Sequence, residues 1–217
     1  MKKFLSKLGQ PLFHFFFAVS SAVVGAIVVS WPLLLLFTLL EKTYQTVNLT
    51  VGQVMSNYNQ LLLYLVWPGQ TKLQMSNMPT SASAAAHFAD AKNLFILAEL
   101  VFLLCLALSS YFRNYKKPLK LTQTQALLLM LLPIVVMPFA LTDFDSFFRV
   151  FHTFFFRNDN WLFDPATDPV ILILPEAFFR NCAIAIVTVL LTVCIMLAVT
   201  GRKRPSRRSA PGEGTAS

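Results

Sequence analysis

Two histidines lie in segments that also carry acidic side chains, and histidine is the side chain best suited to proton transfer near neutral pH. His87 and Asp90 are three residues apart, which places them on one face if the segment is helical. An aspartate that accepts a hydrogen bond from one imidazole nitrogen leaves the other nitrogen as a base. The spacing is compatible with a catalytic histidine, but alone it favours an ordinary surface histidine.

His152 lies in a second segment of this kind. It follows Arg149 by three residues, and Arg149 follows Asp145 by four, the spacing of neighbours on a helix. Phenylalanines recur in the same segment at helical spacing, which predicts a helix lying at the level of the lipid headgroups: Phe144, Phe147, Phe148, Phe151 and Phe155. Without further information this pattern favours an anchoring helix with a solvated arginine and histidine.

A dense polar stretch follows this helix. Asn and Asp side chains bond the local backbone in turns, and function concentrates on such loops. Pro175 and Glu176 suit the first turn of a further helix. The candidate residues of this stretch are Asn158, Asp159, Trp161, Asp164, Asp168 and Glu176.

Two serines and two ionisable residues also bear on chemistry. Ser81 and Ser83 precede His87 and are of the type that caps helices. An acyl-serine nucleophile at either position is an alternative, but helix capping explains them more simply. Glu99 lies inside an apolar stretch, where an acid is a functional candidate by default, and His14 lies near the end of another.

The elements that position these residues follow from composition. The chain has 217 residues, 56% hydrophobic and only 13% charged, whereas soluble domains are about 25% charged. This excludes a disordered chain, a basic nucleic-acid-binding domain and an ordinary soluble enzyme. Four apolar stretches have a length close to the roughly 20 residues that a membrane-spanning helix needs. They predict an all-α membrane protein, a four-transmembrane-helix bundle forming one domain over 1–217, with spans at about 12–40, 94–112, 123–142 and 178–200.

Lysine and arginine predict how this bundle is oriented. Both termini and the 113–120 loop share one side, which carries twelve of the eighteen basic residues. The positive-inside rule therefore places both termini, with the basic tail 201–217, in the cytoplasm. The loops 41–93 and 142–177 then face outward. The first apolar stretch is far longer than the roughly 7–15 residues of a signal-peptide core, so we expect an uncleaved anchor.

The first outward loop contains a helical pattern at about 51–66, which predicts a helix that is re-entrant, interfacial or packed over the end of the bundle. The three cysteines, Cys105, Cys182 and Cys194, all fall in predicted spans. Buried packing is the default for each, and no disulfide framework is implied.

At these residues the chain resembles a known family. The stretches SASAAAHFADAK (81–92) and FHTFFFRNDNWLFDP (151–165), followed by Asp168 and Pro175-Glu176, resemble the bacterial lipoprotein intramolecular transacylase (Lit) family. Members of that family are four-span membrane proteins, and the similarity runs from about Tyr58 to Phe179. Ala91, where the family pattern has valine, is a minor departure.

The resemblance implies an activity. Members move the sn-2 acyl chain of a diacylglyceryl-modified N-terminal cysteine onto the α-amine of that cysteine, which gives a lyso-form lipoprotein. The family's two histidines correspond to His87 and His152, and loop helices lie at the outer membrane face. The implied partners are a diacylated lipoprotein and membrane lipid, with no cofactor, no metal and no obligate protein partner.

Ester-to-amide exchange needs a neutral amine, a stabilised oxyanion and a protonated leaving group. We therefore expect one histidine to take the amine proton and the other to protonate the glycerol oxygen. Arg149 or Asn158 would stabilise the oxyanion, and Asp90 or Asp164 would orient an imidazole. The remaining polar residues of both loops are expected to support the site or bind substrate: Ser83, Asp159, Trp161, Asp168 and Glu176.

Two other classes of function remain alternatives. His87, Asp90 and His152 would suit a zinc site, and two histidines would suit haem, although no tight ligand spacing supports either. A transporter or non-catalytic membrane partner is the other class. It is disfavoured because the polar residues cluster in the loops and not at the membrane midplane, where transport sites lie.

Overall fold

The computed structural model describes residues 2–115 and 122–201, and over these ranges the chain forms helices and no strand. The predicted all-α class is therefore confirmed. The basic residues between 116 and 120 and nearly all of the basic tail lie outside the described residues. The helices are α1 Lys2–Leu40, α2 Thr43–Thr46, α3 Val51–Val66, α4 Ala82–Asn114, α5 Gln123–Thr142, α6 Phe144–Phe156, α7 Val170–Ile173 and α8 Glu176–Gly201.

Four of these helices contain stretches long and apolar enough to cross a membrane: Gly9–Leu40, Ala82–Asn114, Thr124–Thr142 and Glu176–Val199. The second begins well before residue 94, because α4 is already helical at Ala82. Ser81 is its N-cap, and the Ser81 Oγ accepts a hydrogen bond from the Ala84 amide at 3.1 Å. His87 therefore lies on the second turn of a long helix.

The bundle is held together most extensively by α1 and α8, and α1 also packs along α4. The approach of α1 to α8 is close at Gly25, where an added Cβ would lie 2.9 Å from a methyl group of Val189. Three alanines one turn apart on α1, Ala18, Ala22 and Ala26, are buried. Small residues at such spacing let helix backbones approach closely in a membrane, where packing is the main attraction.

The first connecting segment (residues 41–81, between α1 and α4) folds over one end of the bundle. A capping box between Thr50 and Gln53 starts α3. One face of α3 then forms a hydrophobic core with the adjoining ends of α1, α4 and α8 and with α7. The largest fully buried side chains of this core are Leu34, Val54, Leu61, Val170 and Ile173. The predicted helix at 51–66 is confirmed, and it packs over the end of the bundle.

The second connecting segment (residues 143–175, between α5 and α8) is built differently. The Asp143 carboxylate accepts a hydrogen bond from the Ser146 amide at 3.1 Å and so caps the start of α6. The helix ends at Arg157, whose φ of 34° turns the chain back on itself. Only three side chains of α6 are buried, namely Phe144, His152 and Phe156.

Candidate active site

The structure brings His87 and His152 together. His87 lies on the second turn of α4 and His152 near the end of α6, and their ring centroids are 5.6 Å apart. Each histidine is only 8% exposed. The interpretation of His87 and His152 as surface residues, which spacing alone favoured, is therefore wrong for both. The imidazole is on the inward face of α6 because Phe144, Phe148 and Phe156, at helical spacing, face the same way.

The protonation state of His152 is constrained by its backbone partner. Its Nδ1 lies 2.8 Å from the Phe148 carbonyl oxygen, and a carbonyl can only accept a hydrogen bond, so Nδ1 carries the proton. In the neutral ring Nε2 is then the free acceptor. Burial lowers the pKa of His152, and the bond to Phe148 only partly opposes this. The ring is accordingly neutral at pH 7.

Aromatic rings enclose both imidazoles. The ring of Phe148 lies 3.9 Å from that of His152, and Trp161 lies 4.9 Å away on the same imidazole. Phe156 meets His87 edge-on at 4.6 Å, and Phe163 does so at 5.6 Å. This shell keeps water from the pair and lowers the local dielectric, which strengthens any charge interaction made inside it.

Two nitrogen atoms within this shell are buried without a hydrogen-bond partner, the Nδ1 of His87 and the Nε1 of Trp161. Buried polar atoms are nearly always paired, so each exception calls for an explanation.

Three hydrogen bonds join the N-terminal end of α4 to the loop after α6. The Asp168 carboxylate, 2% exposed, accepts from the Ser81 amide at 2.7 Å. Asn160 accepts from the Ser83 hydroxyl at 3.0 Å. The third is donated by the side-chain amide of Asn158 to the Asp90 carboxylate at 3.1 Å. These bonds fix the two histidine-bearing elements relative to each other. Asn160 was missed by the sequence analysis because no spacing links it to Ser83.

Four other candidate residues make contacts away from the two histidines. Arg149 is exposed and pairs with Asp145 at 2.9 Å, and Glu176 pairs with Arg180 at 3.5 Å. The Asp164 carboxylate accepts from the Ala166 amide at 2.9 Å, as predicted for a turn. Asp159 is exposed, and its carbonyl closes a turn with the Leu162 amide. At His152 the orienting group is the Phe148 carbonyl and not a carboxylate.

The alternative metal site is not assembled. Within residues 2–115 and 122–201, no three histidine, cysteine, aspartate or glutamate side chains are grouped so that they could hold a metal ion. His14 is remote from the pair in sequence and lies buried in α1, with its Nδ1 2.7 Å from the Gln10 carbonyl. Glu99 is half-buried in α4.

Four long apolar helices and an enclosed histidine pair are the features of a membrane-integral helical protein with a buried polar centre. Comparison with known protein families identifies which one. The lipoprotein intramolecular transacylase Lit family matches residues 9–179, and the chain belongs to that family. It is therefore an acyltransferase.

Solved structures agree with this assignment. The fold is similar to that of the membrane-integral lipoprotein intramolecular transacylase Lit from Bacillus cereus, with a TM-score of 0.78 and 25% identity over 91% of this chain and 94% of that one. Two structures of the same Bacillus cereus protein, in which one histidine is replaced by arginine or by alanine, each match with a TM-score of 0.72 and 24% identity. They cover 92% of this chain and 91% or 93% of theirs. Comparison with curated protein sequences finds no match.

Proposed function

We propose that this transacylase moves the sn-2 acyl chain of a diacylglyceryl-cysteine lipoprotein to the α-amine of the same cysteine, with His87 and His152 as the proton-transferring pair. The observation that carries this proposal is the enclosed pair itself, two imidazoles 5.6 Å apart inside an aromatic shell. The choice of a histidine for substitution in the Bacillus cereus protein is consistent with it.

The main requirements of the reaction are proton transfer and stabilisation of the oxyanion. An α-amine with a pKa of about 7.8 is partly neutral at pH 7, so making the nucleophile available costs little free energy. Attack on the ester carbonyl creates an oxyanion, and the glycerol oxygen leaves only as it receives a proton. The proton lost by the amine nitrogen ends on the glycerol oxygen, so the exchange consumes no net proton.

A pair of neutral imidazoles suits this sequence of steps. One ring takes the amine proton and becomes cationic, and that proton then passes by way of the second ring to the leaving oxygen, so both rings return to the neutral state. At His152 the acceptor is Nε2, because Nδ1 is held by the Phe148 carbonyl. No covalent enzyme intermediate is required, since the amine and the ester belong to one substrate molecule, and holding them in contact supplies much of the rate.

We also propose that the histidine pair faces outward from the cytoplasmic membrane and that both termini are cytoplasmic. The basic residues carry this part, since twelve of the eighteen fall on the side of the termini. Exposed apolar side chains of α6, among them Val150 and Phe154, suit contact with membrane lipid. The predicted absence of an obligate protein partner belongs to the same proposal.

Mass spectrometry of lipoprotein N-termini tests the activity. In cells that make this protein, we expect one acyl chain to move from glycerol to nitrogen at unchanged total mass. His87→Ala and His152→Ala should each lower transfer by about 10²–10⁴-fold. The matched control is His14→Ala, which removes another buried imidazole with the same kind of carbonyl contact. Full transfer by either site variant, at normal membrane levels, would contradict the assignment.

Cysteine labelling on intact cells tests the orientation. After the three native cysteines are replaced, an impermeant maleimide should label Asp159→Cys and should not label Glu213→Cys until the cells are lysed. The reverse pattern would place the histidine pair on the cytoplasmic side.

A further inference from the structure

The indole of Trp161 carries an unused hydrogen-bond donor beside the histidine pair. Its Nε1 is buried and has no partner, although a buried tryptophan N–H usually finds one. By contrast, the exposed Trp31 donates its Nε1 proton to Asn59 at 2.8 Å. An unpaired buried donor destabilises the fold, so its presence beside the histidine pair calls for an explanation.

The position of the ring makes this donor relevant to the reaction. The indole lies 4.9 Å from the His152 imidazole, and the planes of the two rings are 35° apart. It is held there by Phe148, which contacts both rings, at 3.9 Å from His152 and 6.2 Å from Trp161. An ester held against His152 is therefore also next to the indole.

Access to the indole comes with access to the histidines. Both imidazoles are only 8% exposed, so a substrate ester reaches them only by displacing side chains of the aromatic shell. The indole belongs to the same shell, so an ester that reaches the imidazoles also lies against the indole.

The donors expected from the sequence are otherwise engaged. The Arg149 guanidinium is exposed and paired with Asp145, and the side-chain amide of Asn158 donates to Asp90. Both groups thus already donate to a carboxylate, whereas the Trp161 N–H has no acceptor.

We propose that the Trp161 N–H is a further catalytic group, which donates a hydrogen bond to the ester carbonyl oxygen as that oxygen becomes an oxyanion. This inference rests on the proposed function. The amine nitrogen bonds to the carbonyl carbon, and the carbonyl π electrons move to oxygen. The indole holds the resulting charge without giving up its proton. When the C=O bond re-forms, the bond to the glycerol oxygen breaks, and that oxygen leaves with the proton that the histidine pair delivers.

The test is Trp161→Phe, which keeps an aromatic ring and removes the N–H. We expect kcat to fall by about 10²–10³-fold with KM little changed, the usual effect of losing one oxyanion donor. The thermal midpoint should stay the same or rise, because the variant no longer buries an unpaired donor. A merely structural tryptophan would instead lower the midpoint.

Two further variants complete the test. Trp161→His retains a ring N–H and should recover part of the activity lost in Trp161→Phe, while Trp31→Phe should be as active as wild type. Activity of Trp161→Phe within about threefold of wild type, or a lowered midpoint that accounts for its loss, overturns the inference and leaves the proposed function standing. A wild-type protein that makes no lyso-form product overturns both.

Discussion

The two connecting segments occupy equivalent places, each between two membrane helices, and each contains an amphipathic helix. The first segment buries its helix within the protein, where Val54 and Leu61 of α3 are almost completely covered. The second leaves most of α6 uncovered, and Phe154 is 74% exposed. Hydrophobic residues at helical spacing thus form a buried core in one segment and a largely exposed helix in the other.

The two segments also differ in how they are held to the rest of the protein. The first segment is tied down by buried polar contacts as well, such as the hydrogen bond from Tyr58 to Ser30 at 2.6 Å. The second segment is fixed chiefly at its inward face and its loop, which are also the parts that contact His87, through Phe156 and Phe163. The first connecting segment therefore packs against α4 and supports it. The second places His152 next to His87 on α4.

The largest expected effect separates the two segments by stability. Leu61→Ala removes a side chain that is 2% exposed, and we expect it to lower the free energy of unfolding by about 2–5 kcal/mol. Phe154→Ala removes a larger but exposed ring from α6 and should change it by less than about 0.5 kcal/mol. Thermal unfolding in detergent measures both. Equal losses would show that α6 is as much a part of the core as α3.

A smaller effect is expected where the second segment joins α4. Asp168→Ala leaves the Ser81 amide without its acceptor and removes one of the two acceptors of the Thr167 hydroxyl, at a cost of about 1–3 kcal/mol. Transfer activity should fall with it, because the two histidines lose a common support. Asp145→Ala, which breaks only an exposed ion pair, is the matched control. If both aspartate variants keep wild-type stability and activity, the Asp168 contacts do not fix the pair.

The smallest effect concerns pH. Because burial lowers the pKa of His152 in the folded protein, the unfolded chain binds a proton more readily than the native state does. The free energy of unfolding should therefore decline as the pH falls through the ordinary imidazole pKa of about 6.5 and on towards the lowered pKa of the folded protein. In His152→Gln this part of the decline should be missing. Thermal midpoints of both proteins between pH 8 and pH 5 measure it, and parallel curves would contradict a neutral buried His152.

Local patterns predicted the helices well and the site only in part. The helix at 51–66 followed from apolar spacing, and Ser81 was recognisable as a capping residue, because both signals lie within one turn or one helix face. The burial of His152 did not follow, since spacing places it near Arg149 on α6 but does not show which side faces the protein. The bond between Ser83 and Asn160 depends on how two distant segments meet, and no local pattern encodes that.

The close approach of α1 to α8 at Gly25 has a consequence for biogenesis. These are the first and the last helices of the described chain, so the most extensive helix contact forms only after everything between them has been synthesised and inserted. Until α8 arrives, one side of α1 can meet only lipid. A chain that stops before residue 176 would therefore leave an incomplete bundle in which α1 lacks its main packing partner.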